Sequence, residues 1–331
     1  MPTKTKRVTI KDVARLAGVH HSTVSRIINR HPYEKYSRKV EKKIERIVAR
    51  TGYRKNLRAA FFRRGKKDLG VLVCAQGIGL THNPIYQEIV SHLFVEAGRK
   101  GDRLVYVPYP PQGDDGMENI IDESLYSGLV VFGPDESPAF LEQVAKRLPV
   151  LQMFHRKQSR HLHFILIDND LSAKTILNYL AGRGIRRLRV IHFSEAPILM
   201  EKIIALEKNG EVHGVSVEHR CLPFNLVSKI GNMEAKRFIA GTDCILMLGS
   251  LAFYLALTRA GIRIPEQVSF MNYDNILTYR RLFPELVTVG LDYGDVAQRI
   301  LHFFDSEHRP RRQELDIIIG EGQTVRGKRN K

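Results

Sequence analysis

The chain has 331 residues, 43% of them hydrophobic, and a formal net charge of +17 at pH 7; it is too long for one ordinary domain and too apolar to be disordered. Its longest nearly apolar run, Cys244 to Leu257, is too short to span a bilayer and suits a strand followed by a helix. Three scattered cysteines (Cys74, Cys221, Cys244) form no zinc spacing, which points to a reducing compartment and small buried apolar roles.

Of 52 Lys and Arg and 35 Asp and Glu, 21 and 4 fall between Met1 and Lys67, leaving 31 of each beyond. The whole surplus sits in the first fifth of the chain, the footprint expected of a phosphate-binding module. An anionic-membrane patch would be equally basic. It would also need a strongly amphipathic helix with bulky apolar exposure, and none precedes Phe61. Lys4, Lys6 and Arg7 lead into a polar helix rather than a signal-peptide core, so the expected location is the cytoplasm.

In chain order, Thr9 is placed to N-cap a first helix, with Asp12 completing a capping-box-like start. Ile10, Val13, Ala14, Leu16 and Ala17 share one face. Gly18 ends that helix, and a second begins near His20 with Val24, Ile27 and Ile28 on its apolar side. Two short helices about a tight glycine turn in so basic a setting read as a helix-turn-helix; an ordinary helical hairpin is the plain alternative. A third helix is expected from Ser37, as N-cap, to Thr51, followed by Gly52. From Leu69 onward, short apolar strands alternate with helices through about residue 273, which implies doubly wound parallel sheets.

The residues Val8-Thr9-Ile10, Asp12-Val13-Ala14, Ala17-Gly18-Val19, Thr23-Val24-Ser25-Arg26 and Asn29 closely resemble the headpiece of the lactose/galactose repressor (LacI/GalR) family of bacterial transcription regulators. Later matches, among them Tyr273-Asp274-Asn275 and Val325-Arg326-Gly327, spread the resemblance over nearly the whole chain. It implies a helix-turn-helix headpiece over 1–55, a hinge helix over 56–67 and a two-lobed, periplasmic-binding-protein-like sensor over 68–331. The first lobe would comprise about 68–167 and 290–317, and the second about 168–289 and 318–329. It also implies a homodimer on a palindromic DNA operator, most simply a repressor, switched by a small effector such as a sugar. The DNA contacts it implies are Thr9, His20, His21, Ser22, Thr23, Ser25, Arg26 and Asn29, with Tyr53, Asn56 and Ala59 leading to Phe62 as a minor-groove wedge. Lys55 replaces a usual proline, His20 replaces a capping serine, and Phe61 and Phe62 fit core packing as well. Adjacent helical histidines point apart, so His20 and His21 make no metal site, and no metal or cofactor is expected.

For the effector, the resemblance implies contacts at Asn83, Tyr86, Phe154, His155, Asp168, Ser250 and Asp274. The family's arginine is absent from Pro197 to Glu201, its Asn-Asp pair is Gly249-Ser250 here, and Phe154-His155 stands where an aspartate is common. Such a pocket has fewer grips for polyols, so a less polar ligand, a protein partner or no effector stays open beside a sugar. The alternative function is an α/β sugar- or nucleotide-processing enzyme with a basic nucleic-acid-binding appendage. Against it, the chain has no GxGxxG after a strand, no P-loop, no GxSxG and no HExxH, hence no catalytic residues to assign.

Overall fold

The computed structural model describes residues 8–28, 36–53, 68–73, 83–107, 121, 124–133, 139–154, 159–227, 229–307 and 309–327. They fall into two compact units, Met1–Lys66 and Lys67–Lys331.

The first unit contains three helices. Helix α1 (Ile10–Ala17) starts in a reciprocal capping box: the Thr9 hydroxyl accepts from the Asp12 N–H, and the Asp12 carboxylate accepts from the Thr9 N–H at 3.0 Å. It ends at Gly18, whose φ of 66° lies in the left-handed region that a side chain disfavours. The chain then turns into α2 (His21–Ile28). Helix α3 (Arg38–Thr51) begins after Ser37, whose hydroxyl makes no capping bond, and stops at left-handed Gly52. Val13, Ala14, Ala17, Val24, Ile44 and Ile47 form the buried core, closed over by Val8, Ile10, Val19, Ile27, Ile28, Val40, Val48 and Tyr53. So small a core depends on every member.

The second unit is built on two six-stranded sheets. In the first lobe, β1 (Asp68–Val73), β2 (Leu104–Val107), β3 (Tyr126–Phe132), β4 (Val150–Met153) and β5 (His163–Ile167) are flanked by α4 (Pro84–Lys100) and α5 (Ala139–Ala145). After β5 the chain enters the second lobe. There α6 (Asn169–Ala181), β6 (Arg187–His192), α7 (Pro197–Gly210), β7 (Ser216–Cys221), α8 (Phe224–Val227), α9 (Asn232–Ile239), β8 (Cys244–Leu248), α10 (Ala252–Arg259), β9 (Ser269–Tyr273), α11 (Leu277–Leu282) and β10 (Val287–Gly290) follow. It returns through α12 (Tyr293–Asp305), whose Val296, Ile300 and Phe303 pack into the first lobe's core with Ile89 and Leu93 of α4. Strand β11 (Arg312–Leu315) joins the free edge of β5, and β12 (Ile318–Gly320) crosses back to pair antiparallel with β10. The strand orders are β11-β5-β4-β3-β1-β2 and β12-β10-β9-β8-β6-β7. All pairings but β10 with β12 are parallel.

Some elements differ from their sequence reading. A helix expected near Met117–Ser127 does not reach that far, because Tyr126 and Ser127 already pair in β3; its beginning lies outside the described residues. The expected helix over 227–240 starts later, as α9 at Asn232, and a separate short α8 ends at Val227. Val325-Arg326-Gly327 is not a strand, although Arg326 donates its backbone N–H to the Ser269 hydroxyl. Cys244 is buried as expected, whereas Cys221 is exposed at the end of edge strand β7; Cys74 lies outside the described residues.

Ile44→Ala leaves a cavity at the centre of the three-helix core, and such truncations cost about 2–5 kcal/mol. Thermal unfolding of the full chain, followed by circular dichroism, should show an early loss of helix, with the later sensor transition unmoved.

Candidate functional site

Two places carry chemistry, one in each unit. In the first unit, burying Val24 leaves Ser22 and Arg26 one turn apart on the opposite side of α2, with half-buried Ser25 beside them and exposed His21 at the helix start. The helix start is set by an unusual cap. The His20 ring Nδ1 lies 2.8 Å from the Ser22 hydroxyl oxygen and accepts the Ser22 backbone N–H at 3.4 Å. A ring nitrogen that accepts in this way carries no proton, so the proton of neutral His20 is on Nε2, which can donate. The His21 ring lies beside it, 4.1 Å between centroids. Thr9 is held by the α1 capping box and Tyr53 packs against the core, while Thr23 and Ser25 are half-buried on α2. Asn29, Asn56, Ala59 and Phe62, and with them the whole expected hinge helix, lie outside the described residues.

In the second unit, a cavity of about 330 Å³ lies between the two lobes, at the carboxyl ends of their parallel strands. The first lobe supplies Asn83, Ile85 and Tyr86 at the start of α4, Phe154 just after β4, and Tyr293 opening α12. The second supplies Ile198, Leu199 and Lys202 from α7, Leu248 and Gly249 from the end of β8, and Tyr273 and Asp274 from the end of β9. Asn83 is fixed as the α4 N-cap, its side-chain oxygen accepting from the Ile85 and Tyr86 N–H groups. The rings of Tyr86 and Phe154 lie nearly parallel, 13° apart with centroids at 6.5 Å. Phe154 (φ 61°) and Asp274 (φ 91°) are the two non-glycine residues with left-handed backbone among those described, and both line this cavity. Strain of that kind persists where the surroundings enforce it, and it gathers at ligand sites.

The enforcing contacts around Asp274 are visible. Asn275 is buried, accepts from the Thr288 hydroxyl at 2.9 Å and donates to the Leu291 carbonyl at 3.3 Å. Gly290 lets β10 pass close by, since a Cβ there would come within 2.6 Å of the Asn275 nitrogen. Among the described residues no hydrogen bond reaches the Asp274 carboxylate, and burial pushes its pKa up to about 7 against a weaker pull from Lys202. Lys202 donates to the Tyr273 hydroxyl at 3.3 Å, with its ammonium 4.6 Å from that ring's centroid. Beside the cavity Glu88 of α4 accepts the Leu277 N–H at 3.0 Å, tying the first lobe to the start of α11 in the second.

The cavity therefore brings together Asn83, Tyr86, Phe154 and Asp274 of the expected effector set. Asp168 and Ser250 are not among its lining: Asp168 N-caps α6, and the Ser250 hydroxyl accepts the Ala252 N–H at 3.2 Å. His155 lies outside the described residues. Lys202 and Tyr293 were not singled out from sequence. The cation sought between Pro197 and Glu201 stands one position later, on the helix face that also carries Ile198 and Leu199.

A helix-turn-helix carried with a two-lobed α/β cleft in one chain defines a ligand-responsive DNA-binding regulator. Residues 9–56 match the model described as "Bacterial regulatory proteins, lacI family". Curated relatives span nearly the full length. The transcriptional regulator DegA of Bacillus subtilis is 24% identical over 97% of both chains. The repressor PurR of Vibrio cholerae is 25% identical over 96% of this chain and 98% of its own. The regulator MalR of Clostridium butyricum is 29% identical over 85% and 87%. Among solved structures, a lac repressor dimer bound to operator and an anti-inducer has the same fold, with a TM-score of 0.70 and 20% identity over 97% of this chain and 100% of that one. The headpiece thus matches the lacI family model, and over nearly its whole length the chain is similar to curated proteins that are transcription regulators rather than enzymes.

Two outcomes follow for the sites. His20→Ala removes the α2 cap and should lower headpiece stability by about 1 kcal/mol, whereas His20→Ser or His20→Asn should restore most of it in thermal melts. Asp274 keeps its proton in the folded chain up to about pH 7, against 3.8 for an ordinary aspartate, so its contribution to stability falls as pH rises between those values. Asp274→Asn should accordingly raise the melting temperature above pH 7, with the advantage shrinking towards about pH 4.

Proposed function

We propose that the protein is a homodimeric repressor that grips a palindromic operator with paired headpieces and is released or recruited by a small ligand in the interlobe cavity. The observation that carries the DNA half is the polar face of α2 in a segment holding the chain's entire net charge. A recognition helix presents such a face to major-groove base edges. His20, with Nδ1 engaged by Ser22, offers an Nε2–H donor suited to guanine O6 or N7, or to a phosphate. His21 and Ser22 read neighbouring bases, and Arg26 pairs bidentately with a guanine. Thr9, Thr23, Ser25 and Asn29 hold phosphates and fix register, and Tyr53 supports the exit from α3.

In this reading, residues 56–65 form a hinge helix only when two copies pack together at Ala59, with Phe62 wedged into the minor groove. Lobe rearrangement about the cavity brings the two copies together or draws them apart, an order–disorder switch. The headpiece's match to the lacI family model and a cavity with its own strained residues support this mechanism. So does a fold shared with the lac repressor dimer and with the regulator CelR, whose structure is a cellobiose complex. Among the described residues no helix is long and apolar enough to cross a membrane, in keeping with action in the cytoplasm on the nucleoid.

Selection of bound fragments from a random pool tests the reading. His21→Ala and Ser22→Ala should change the preferred sequence, whereas Lys66→Ala with Lys67→Ala should weaken all sequences alike and flatten the salt dependence. An unchanged preference in the first pair refutes the assigned reading positions. Failure of the intact protein to retard any genomic fragment at low salt refutes the function.

A further inference from the structure

The cavity's chemistry narrows its ligand, on the reading that this is the effector site. Among the described lining residues two side chains bear a charge, Lys202 and Asp274, and both belong to the second lobe. Opposite them Ile85, Tyr86 and Phe154 make an apolar wall, with Leu199 and Leu248 continuing it. A hydroxyl buried against such a wall without a partner is unfavourable, so a polyol carrying hydroxyls around its whole ring is a poor match. A body that is apolar throughout, with one polar end, fits both walls. The near-parallel rings of Tyr86 and Phe154 favour a flat one.

The polar end is decided by charge. The Lys202 ammonium has three N–H donors, and the Tyr273 hydroxyl takes one. The remaining two suit a single carboxylate; a phosphate dianion would call for more than one cation. We infer that the cavity binds a small aromatic monocarboxylate, its ring against Tyr86 and Phe154 and its carboxylate shared between Lys202 and a protonated Asp274 that donates to it. A single ring with its acid group fits within the cavity, whose volume is roughly that of eleven waters in the liquid.

Proton sharing gives a signature that a merely apolar pocket lacks. Among the described residues, the titratable and charged groups around Asp274 are Lys202 on α7, Tyr273 ending β9, Tyr279 on α11, Tyr293 opening α12 and, beyond Tyr293, Glu88 on α4. Burial pushes the Tyr279 and Tyr293 phenols up, away from the neutral range, whereas it brings Asp274 into that range. Its pKa lies at about 7, so it is protonated below that pH and can donate. Above it, the carboxylate repels the ligand's own. Benzoate should therefore bind about tenfold more weakly at about pH 8 than at about pH 6.

Calorimetric titration of the full-length protein tests this with benzoate, its neutral analogue benzamide, its cationic analogue benzylamine, and D-glucose and D-ribose as polyols. Benzoate is expected to bind at least tenfold tighter than the other four near pH 6. Lys202→Met should abolish that binding and Lys202→Arg should keep it. Asp274→Asn should keep it and remove its pH dependence, since an amide donates at every pH. Binding of benzamide, benzylamine or a sugar as tight as benzoate overturns the carboxylate assignment while leaving an effector site in the cavity. Benzoate binding that survives Lys202→Met places the anion elsewhere and overturns it too. If none of the five binds, the ligand class falls; the DNA reading is judged separately by fragment retardation.

Discussion

Asn275 binds the two halves of the sensor's logic together. Its amide engages Thr288 on β10 and the Leu291 carbonyl, at the point where the chain leaves the second lobe for the first. The preceding residue, Asp274, is thereby held in a backbone conformation that an aspartate would not choose, with its carboxyl on the cavity wall. Replacing Gly290 by any other residue would push a Cβ into this turn. The strand that crosses between lobes and the group that meets the ligand are thus fixed by one set of contacts. A buried amide with both ends satisfied is rigid, and it commits its neighbours to one geometry.

Much of this was legible in the residues. The capping box at Thr9, the glycine stop at Gly18 and the apolar spacing of Val13, Ala17 and Val24 specify the headpiece locally, and the structure keeps all three. Most strands from β1 to β9 are buried apolar runs between helices, a signal that needs no knowledge of distant partners; edge strand β7, SVEHRC, is the polar and exposed exception. What failed to show is non-local. Strand β11 reads RQEL, with little apolar content, and becomes a strand because it pairs with the free edge of β5. Helix α12 is amphipathic, and nothing in its own pattern says that it packs in the lobe the chain had left long before; only the family resemblance implied that placement for 290–317.

The cavity shows the same division. Aromatic Tyr86 and acidic Asp274 stand at motif positions and were found. Asp168 and Ser250 also occupy motif positions, but their oxygens are occupied by nearby backbone N–H groups, a use that a motif cannot distinguish from ligand contact. Lys202 was not legible because it stands one position beyond the segment where the motif holds its cation, and as an ammonium rather than a guanidinium. His20 is the converse case, a departure from the expected serine whose ring nitrogen takes over the cap.

Tyr86 and Glu88 sit two residues apart on α4, one lining the cavity and the other gripping the first N–H of α11 across the lobe boundary. A helix of 17 residues moves as a rod. A guest that shifts this helix through the phenol ring shifts the carboxylate's anchor with it, which would make occupancy a lever on the clasp.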